Sequence, residues 1–130
     1  MNFIKKICVY AICKNEEKFV DRWFNSMKEA DEIYVLDTGS TDNSIKLLKE
    51  KGVHVKQKKI NPWRFDVARN ISLDMVPNDA DICVCTDLDE VFLKGWREKL
   101  ESVWNKDANR CRYTYNWSLD ENDNPKVSFI

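Results

Sequence analysis

The sequence predicts an α/β protein, a mostly parallel sheet with helices on both faces that ends in a β-hairpin. Short apolar runs such as residues 7–12 and 82–86 alternate with longer stretches whose apolar residues recur every three or four positions. That is the pattern of strands alternating with amphipathic helices. From residue 112 the period changes to strict alternation through Tyr113, Tyr115 and Trp117, followed by a turn over residues 120–125 and a last apolar run, the mark of paired antiparallel strands. A chain of 130 residues suits one domain over residues 1–130 that buries about two-thirds of the surface its unfolded form exposes.

Residues 7–12 form the first strand. Phe19, Val20, Trp23, Phe24 and Met27 then share one helical face, with Asn15 placed to cap the helix and Glu16 and Glu17 favourable in its positively polarised first turn. Residues 33–36 form the second strand, and Asp37, Thr38, Gly39, Ser40, Thr41 and Asp42 make a turn into a helix that closes at Gly52. Residues 53–56 give a third, shorter strand. Asn61, Pro62 and Trp63 start a loop into a helix bearing Phe65, Ala68, Ile71 and Met75, which Pro77 and Asn78 stop. The run 82–86 reads as a buried fourth strand, after which Trp96, Leu100, Val103 and Trp104 fall on the core side of a further helix.

Composition narrows the function. Twenty-one basic against twenty-two acidic residues leave no strong net field, so electrostatics gives no general case for a nucleic-acid or membrane-surface partner. Lys56, Lys58 and Lys59 are the local basic cluster, read as a solvated strand face. No segment approaches the ~20 apolar residues that span a bilayer. The five cysteines are odd in number and lack Cys-x-x-Cys spacing, and four lie in apolar strands (Cys8, Cys13, Cys83, Cys85). This argues for reduced, buried thiols in a cytoplasmic protein.

The most informative residues are Asp87, Leu88 and Asp89, which leave the end of the fourth strand. Alternation along an extended backbone sends positions i and i+2 to one side, so both aspartates can converge in the crevice beyond the sheet's carboxyl edge. Two ionised carboxylates held close repel unless a cation or donors lie between them. A hard divalent cation suits them, because Mg²⁺ and Mn²⁺ are usually held by one or two carboxylates plus substrate phosphates. The implied ligand is a metal-bound diphosphate. Loops after the first and second strands, with Lys14 to Glu17 and Asp37 to Ser40, face the same crevice. There Asp37 either offers acceptors to a ligand or simply caps its turn.

In their order and spacing, Ile12-Cys13-Lys14-Asn15-Glu16-Glu17, Tyr34-Val35-Leu36-Asp37-Thr38-Gly39-Ser40-Thr41-Asp42, Phe65-Asp66-Val67-Ala68-Arg69-Asn70 and Asp87-Leu88-Asp89 resemble the successive motifs of family 2 glycosyltransferases with the GT-A fold. The resemblance covers nearly the whole chain and implies inverting transfer of a sugar from a nucleotide-sugar donor to an acceptor. It implies a Rossmann-like nucleotide-binding half in which Asn15 and Glu17, in the loop after the first strand, and Asp37 contact the base. Arg69 would meet the base or phosphates, Asp87 the ribose, phosphates or metal, and Asp89 the metal, Mg²⁺ or Mn²⁺. Thr38 stands where many members carry a second acid, which leaves the base identity open. The family's general base lies well downstream of the metal motif. The chain is therefore expected to be the donor-binding portion of a longer enzyme, with apolar hairpin residues such as Tyr115, Trp117, Val127 and Phe129 free to drive self-association.

Two other classes compete. A nucleotidyltransferase would show a glycine-rich basic loop after the first strand, where this chain has Asn15, Glu16 and Glu17 and only three glycines overall. A non-catalytic nucleotide-binding module would bind without turnover.

Overall fold

The structure is a computed structural model that describes residues 5–104 in full and the backbone of residues 115–119 and 125–129. The chain divides into two compact units, Met1–Lys94 and Gly95–Ile130.

In the first unit, β1 (Ile7–Cys13), β2 (Glu32–Asp37), β3 (His54–Gln57) and β4 (Ile82–Cys85) form one sheet in the order β3-β2-β1-β4. All three pairings are parallel, with Val9 facing Ile33 on one side and Val84 on the other. Helices α1 (Glu17–Met27), α2 (Ser44–Glu50) and α3 (Phe65–Asp74) supply the crossovers. Two crossovers step from β1 towards β3 and the third returns past β1 to β4. Right-handed connections therefore put α1 and α2 on one face and α3 on the other. Lys51, which closes α2, reaches Asp21 of α1 at 2.7 Å and lies over the Phe24 ring, consistent with a shared face.

The central strand makes the core because its neighbours cover both sides. Ile7, Cys8, Val9, Ala11 and Cys13 are fully buried, and Val20, Trp23 and Met27 bring the apolar stripe of α1 against the sheet. Each fully buried side chain of this size contributes about 1.5–3 kcal/mol. Burial pushes the Cys13 thiol up to about 12, so it remains protonated.

Four expectations are corrected. Among the described residues β4 pairs with β1 alone, so it is an edge strand, and Cys83 and Cys85 are exposed while Cys8 and Cys13 are buried. Asn15 does not cap α1: Glu16 holds that position without a side-chain bond, and Asn15 adopts a left-handed backbone at φ 53°. Phe65 is 57% exposed instead of joining the core of α3, whose fully buried residues are Ala68 and Ser72. In the second unit α4 (Trp96–Val103) buries none of its residues completely.

That second unit also holds β5 (Tyr115–Leu119) and β6 (Pro125–Phe129), paired antiparallel with Tyr115 opposite Phe129 and Leu119 opposite Pro125. The expected hairpin strands are present. Its turn and the side chains of Tyr115, Trp117, Val127 and Phe129 lie outside the described residues. No helix among the described residues is long and apolar enough to cross a membrane.

Candidate functional site

Chain direction across the sheet reverses at β1, so the loops leaving β1 and β4 separate and open a crevice beyond their carboxyl ends, where open parallel sheets take their ligands. A cleft of about 540 Å³ lies there. Its acidic lining residues are Glu16, Asp87 and Asp89 and its apolar ones Ile12, Ile60, Trp63 and Phe65, with Lys14, Lys59 and Thr38 completing the lining.

The acidic part is built by alternation carried past the end of β4. Thr86 and Leu88 are buried, while Asp87 and Asp89 are exposed. Leu88, at 1% exposure, is the anchor that turns both carboxylates outward. The Glu90 carboxylate accepts the Asp87 N–H at 2.8 Å, and Glu90 N–H returns a bond to the Asp87 carbonyl at 3.0 Å, which fixes the turn. Desolvation holds the Glu90 carboxyl above its ordinary range. Arg69 of α3 donates to Asp87 Oδ1 at 2.9 Å, and its guanidinium lies 4.9 Å over the Phe65 ring. The other terminal nitrogen of Arg69 is buried without a hydrogen-bond partner, leaving a donor unused where donors normally find acceptors.

Glu16 is the functional candidate that sequence reasoning missed. Desolvation, with Asp89 and Asp87 adding like charge, pushes its carboxyl from the ordinary 4.5 up to about 7. Lys59, expected on a solvated face, also lines the cleft.

Asn15, Glu17 and Asp37 are not among the side chains that line it. They join the two loops beside it. Asn15 Oδ1 accepts the N–H of Thr41 at 2.7 Å and of Asp42 at 3.3 Å, and Glu17 Oε2 accepts that of Asn43 at 3.2 Å. In return Ser40 Oγ accepts from Asn15 N–H at 2.8 Å, Ser44 Oγ from Glu16 N–H at 2.9 Å and Asp42 Oδ2 from Glu17 N–H at 3.2 Å. Asp37 is 1% exposed. Its carboxylate accepts the N–H groups of Gly39 and Ser40 at 2.9 and 2.8 Å and the Ser40 hydroxyl at 2.5 Å. The loop from Thr38 to Asp42 is thus folded around Asp37, and Gly39 takes the φ of +130° that this requires.

A parallel α/β sheet with an acidic cleft at its switch point is the arrangement in which open α/β folds take their ligands beyond the strand ends. Residues 8–126 match the family model described as Glycosyl transferase family 2, and the chain belongs to that family. An uncharacterized glycosyltransferase of Rickettsia bellii is 31% identical over 110 residues, which cover 84% of this chain and 36% of that protein. The chain thus spans about a third of the length of the curated relatives it matches.

Solved GT-A structures share the fold. A mannosyltransferase from Pyrobaculum calidifontis in complex with GDP-Man and Mn²⁺ superposes with a TM-score of 0.61 at 19% identity, over 75% of this chain and 31% of that one. Glucosyl-3-phosphoglycerate synthase from Mycobacterium tuberculosis, in complex with Mn²⁺, UDP and glucosyl-3-phosphoglycerate, gives 0.54 at 26% identity, over 64% and 33%.

Proposed function

We propose that this chain carries the donor-binding portion of an inverting glycosyltransferase, with a nucleotide sugar in the crevice and its diphosphate held through Mg²⁺ or Mn²⁺ at Asp87 and Asp89. The observation that carries the reading is the splay of these two aspartates around buried Leu88, in one cleft with Glu16. Among the described residues no three His, Cys, Asp or Glu side chains form a metal-binding group. A two-carboxylate donor set fits a hard cation whose remaining positions go to water and phosphate oxygens. When bound, the cation supplies Lewis-acid neutralisation of charge on the departing diphosphate.

The chain's own residues have separable tasks in this reading. Arg69 orients Asp87 through its 2.9 Å bond. Lys14 and Lys59 bring positive charge into the cleft for the phosphates. Asn15, Glu17 and Asp37 serve the donor through the two loops they hold together. The complex of the Mycobacterium tuberculosis synthase with UDP and Mn²⁺ supports UDP and Mn²⁺ as the first probes.

The test is thermal unfolding with UDP, in Mn²⁺ and in EDTA. A ligand at a hundredfold excess over its dissociation constant stabilises by about 2.7 kcal/mol. That gain is expected with Mn²⁺ and absent with the chelator, and Asp89→Asn is expected to lose most of it while unfolding normally without ligand. Equal stabilisation in EDTA rejects the metal assignment.

A further inference from the structure

We infer that the segment from Lys56 to Asp66, which runs from the end of β3 into α3, docks this chain on an anionic lipid surface, its basic residues meeting headgroup phosphates while Trp63 and Phe65 enter the interface. The inference does not depend on the donor-binding reading and adds a partner to it.

Residues 56–59 and 61–66 are exposed in succession, interrupted only by half-buried Ile60, whereas no other exposed run among the described residues exceeds two. The fold therefore holds this stretch out in solvent between two elements that it packs. The near-neutral total conceals what the stretch carries. Twenty-one basic and twenty-two acidic residues cancel over the chain, but residues 56–66 hold Lys56, Lys58, Lys59 and Arg64 against the single acid Asp66. Arg64 donates to Asp66 at 2.7 Å, which leaves the three lysines as the local excess charge.

The same stretch carries the exposed aromatics. Trp63 and Phe65 are 54% and 57% exposed, and the other strongly exposed large apolar residues, Leu73, Leu93 and Val103, are aliphatic and lie elsewhere. Phe65 keeps that exposure although the Arg69 guanidinium lies 4.9 Å over its ring. Exposed aromatic area beside basic side chains is the pattern by which a protein settles into the headgroup layer, where Trp prefers to lie and cations meet anionic lipid.

Charge and shape favour a lipid surface over a nucleic acid. A single strand needs a basic groove that follows its backbone. The cleft beside this segment is lined by Glu16, Asp87 and Asp89, which repel a polyanion laid along it. A lipid surface needs only the projecting rim. Lys56, Lys58 and Arg64 are outside the cleft lining, so docking can be tested without touching it.

The experiment is co-sedimentation with vesicles, of phosphatidylcholine alone or mixed equally with phosphatidylglycerol, against the chain without vesicles. Sedimentation with the mixed vesicles alone is expected, falling steeply as salt shortens the screening length. Each basic residue near an anionic surface is worth about fivefold in affinity, so Lys56→Gln with Lys58→Gln should weaken binding about twenty-fivefold. The Mn²⁺-dependent response of that variant to UDP should match the wild type's. Lys46→Gln with Lys49→Gln, the same change of charge placed on α2, should bind vesicles as the wild type does. Trp63→Ala should weaken binding about tenfold. Normal unfolding of the variants without vesicles confirms the fold. Equal binding to both kinds of vesicle, wild-type binding after the change at Lys56 and Lys58, or an equal loss in the α2 variant overturns the docking surface. Wild-type binding by Trp63→Ala overturns the entry of the aromatics into the interface. Tighter binding of single-stranded poly(U) than of the mixed vesicles, lost in the Lys56 and Lys58 variant, overturns the lipid assignment in favour of a nucleic acid.

Discussion

The two ends of the parallel sheet solve the same electrostatic problem in opposite ways. At the amino end, Lys6 Nζ bridges Glu32 at 2.7 Å and Asp79 at 2.9 Å. Asp81 accepts the Lys6 N–H at 2.7 Å, and Asp31 accepts that of Ile7 at 2.8 Å. Each of these four acids has a donor, and the Lys6 ammonium holds the Glu32 carboxyl below its usual range. At the carboxyl end, Glu16, Asp87 and Asp89 share a cleft, and burial with like charge drives Glu16 up to about 7. The amino end needs nothing further to be stable. The carboxyl end keeps like charges close together at Glu16, and in the proposed reading an arriving cation would relieve them.

Three experiments would break or sharpen that contrast. The largest effect is expected for Leu88→Ala, since emptying a site of 1% exposure costs about 2–5 kcal/mol and removes the anchor that splays the two aspartates. Denaturant unfolding should show the loss, and Mn²⁺-dependent UDP stabilisation should fall with it. Retained binding would show that the acidic end does not depend on its core anchor.

Asn15→Ala comes next. It leaves the N–H groups of Thr41 and Asp42 without their acceptor and puts a Cβ-bearing residue lacking the Asn side chain at φ 53°. A cost of about 1–3 kcal/mol is expected. Asn15→Gly should cost less, because it removes the same acceptor but accepts the backbone. Equal costs would mean that the backbone conformation plays no part.

The smallest effect is the most discriminating, because one chemical change should act with opposite sign at the two ends. Glu16 binds its proton more tightly folded than unfolded, so native stability falls as pH rises from about 4.5 to about 7, and the deficit remains at pH 8. Glu16→Gln should therefore raise Tm at pH 8 by about a degree or two, after discounting for solvent around a half-exposed group, and change little near pH 4. Glu32 has a lowered pKa, so its stabilisation is present above the unfolded value and disappears on acidification. Glu32→Gln should lower Tm slightly at pH 8. Shifts of the same sign would abolish the distinction.

The strand and helix order was readable because apolar period reports it directly. Asp87 and Asp89 were found by the same rule, since alternation continues one turn past β4. What escaped depends on geometry that period does not encode. The left-handed backbone at Asn15 reverses the chain after β1, so that Glu16 lines the cleft while Asn15 and Glu17 do not; Asn tolerates that conformation, and its place directly after a strand was the available signal. The apolar run 82–86 could not reveal that β4 lies at an edge, because a half-covered strand rich in cysteine reads like a central one. Phe65 matched a helical core stripe with Ala68, and only packing shows that it faces the cleft. Lys59 sat in a basic cluster whose other members, Lys56 and Lys58, do not line it.

The bonds that lock the loop after β1 to the loop after β2 have a kinetic consequence. Thr41, Asp42 and Asn43 donate to one loop while Asn15, Glu16 and Glu17 donate to the other, so neither can shift without its neighbour. A ligand arriving there meets a surface whose ordering entropy was already lost on folding. Binding should then proceed without a slow loop-closing phase on this side of the cleft, and variants on it should change residence time more than association rate.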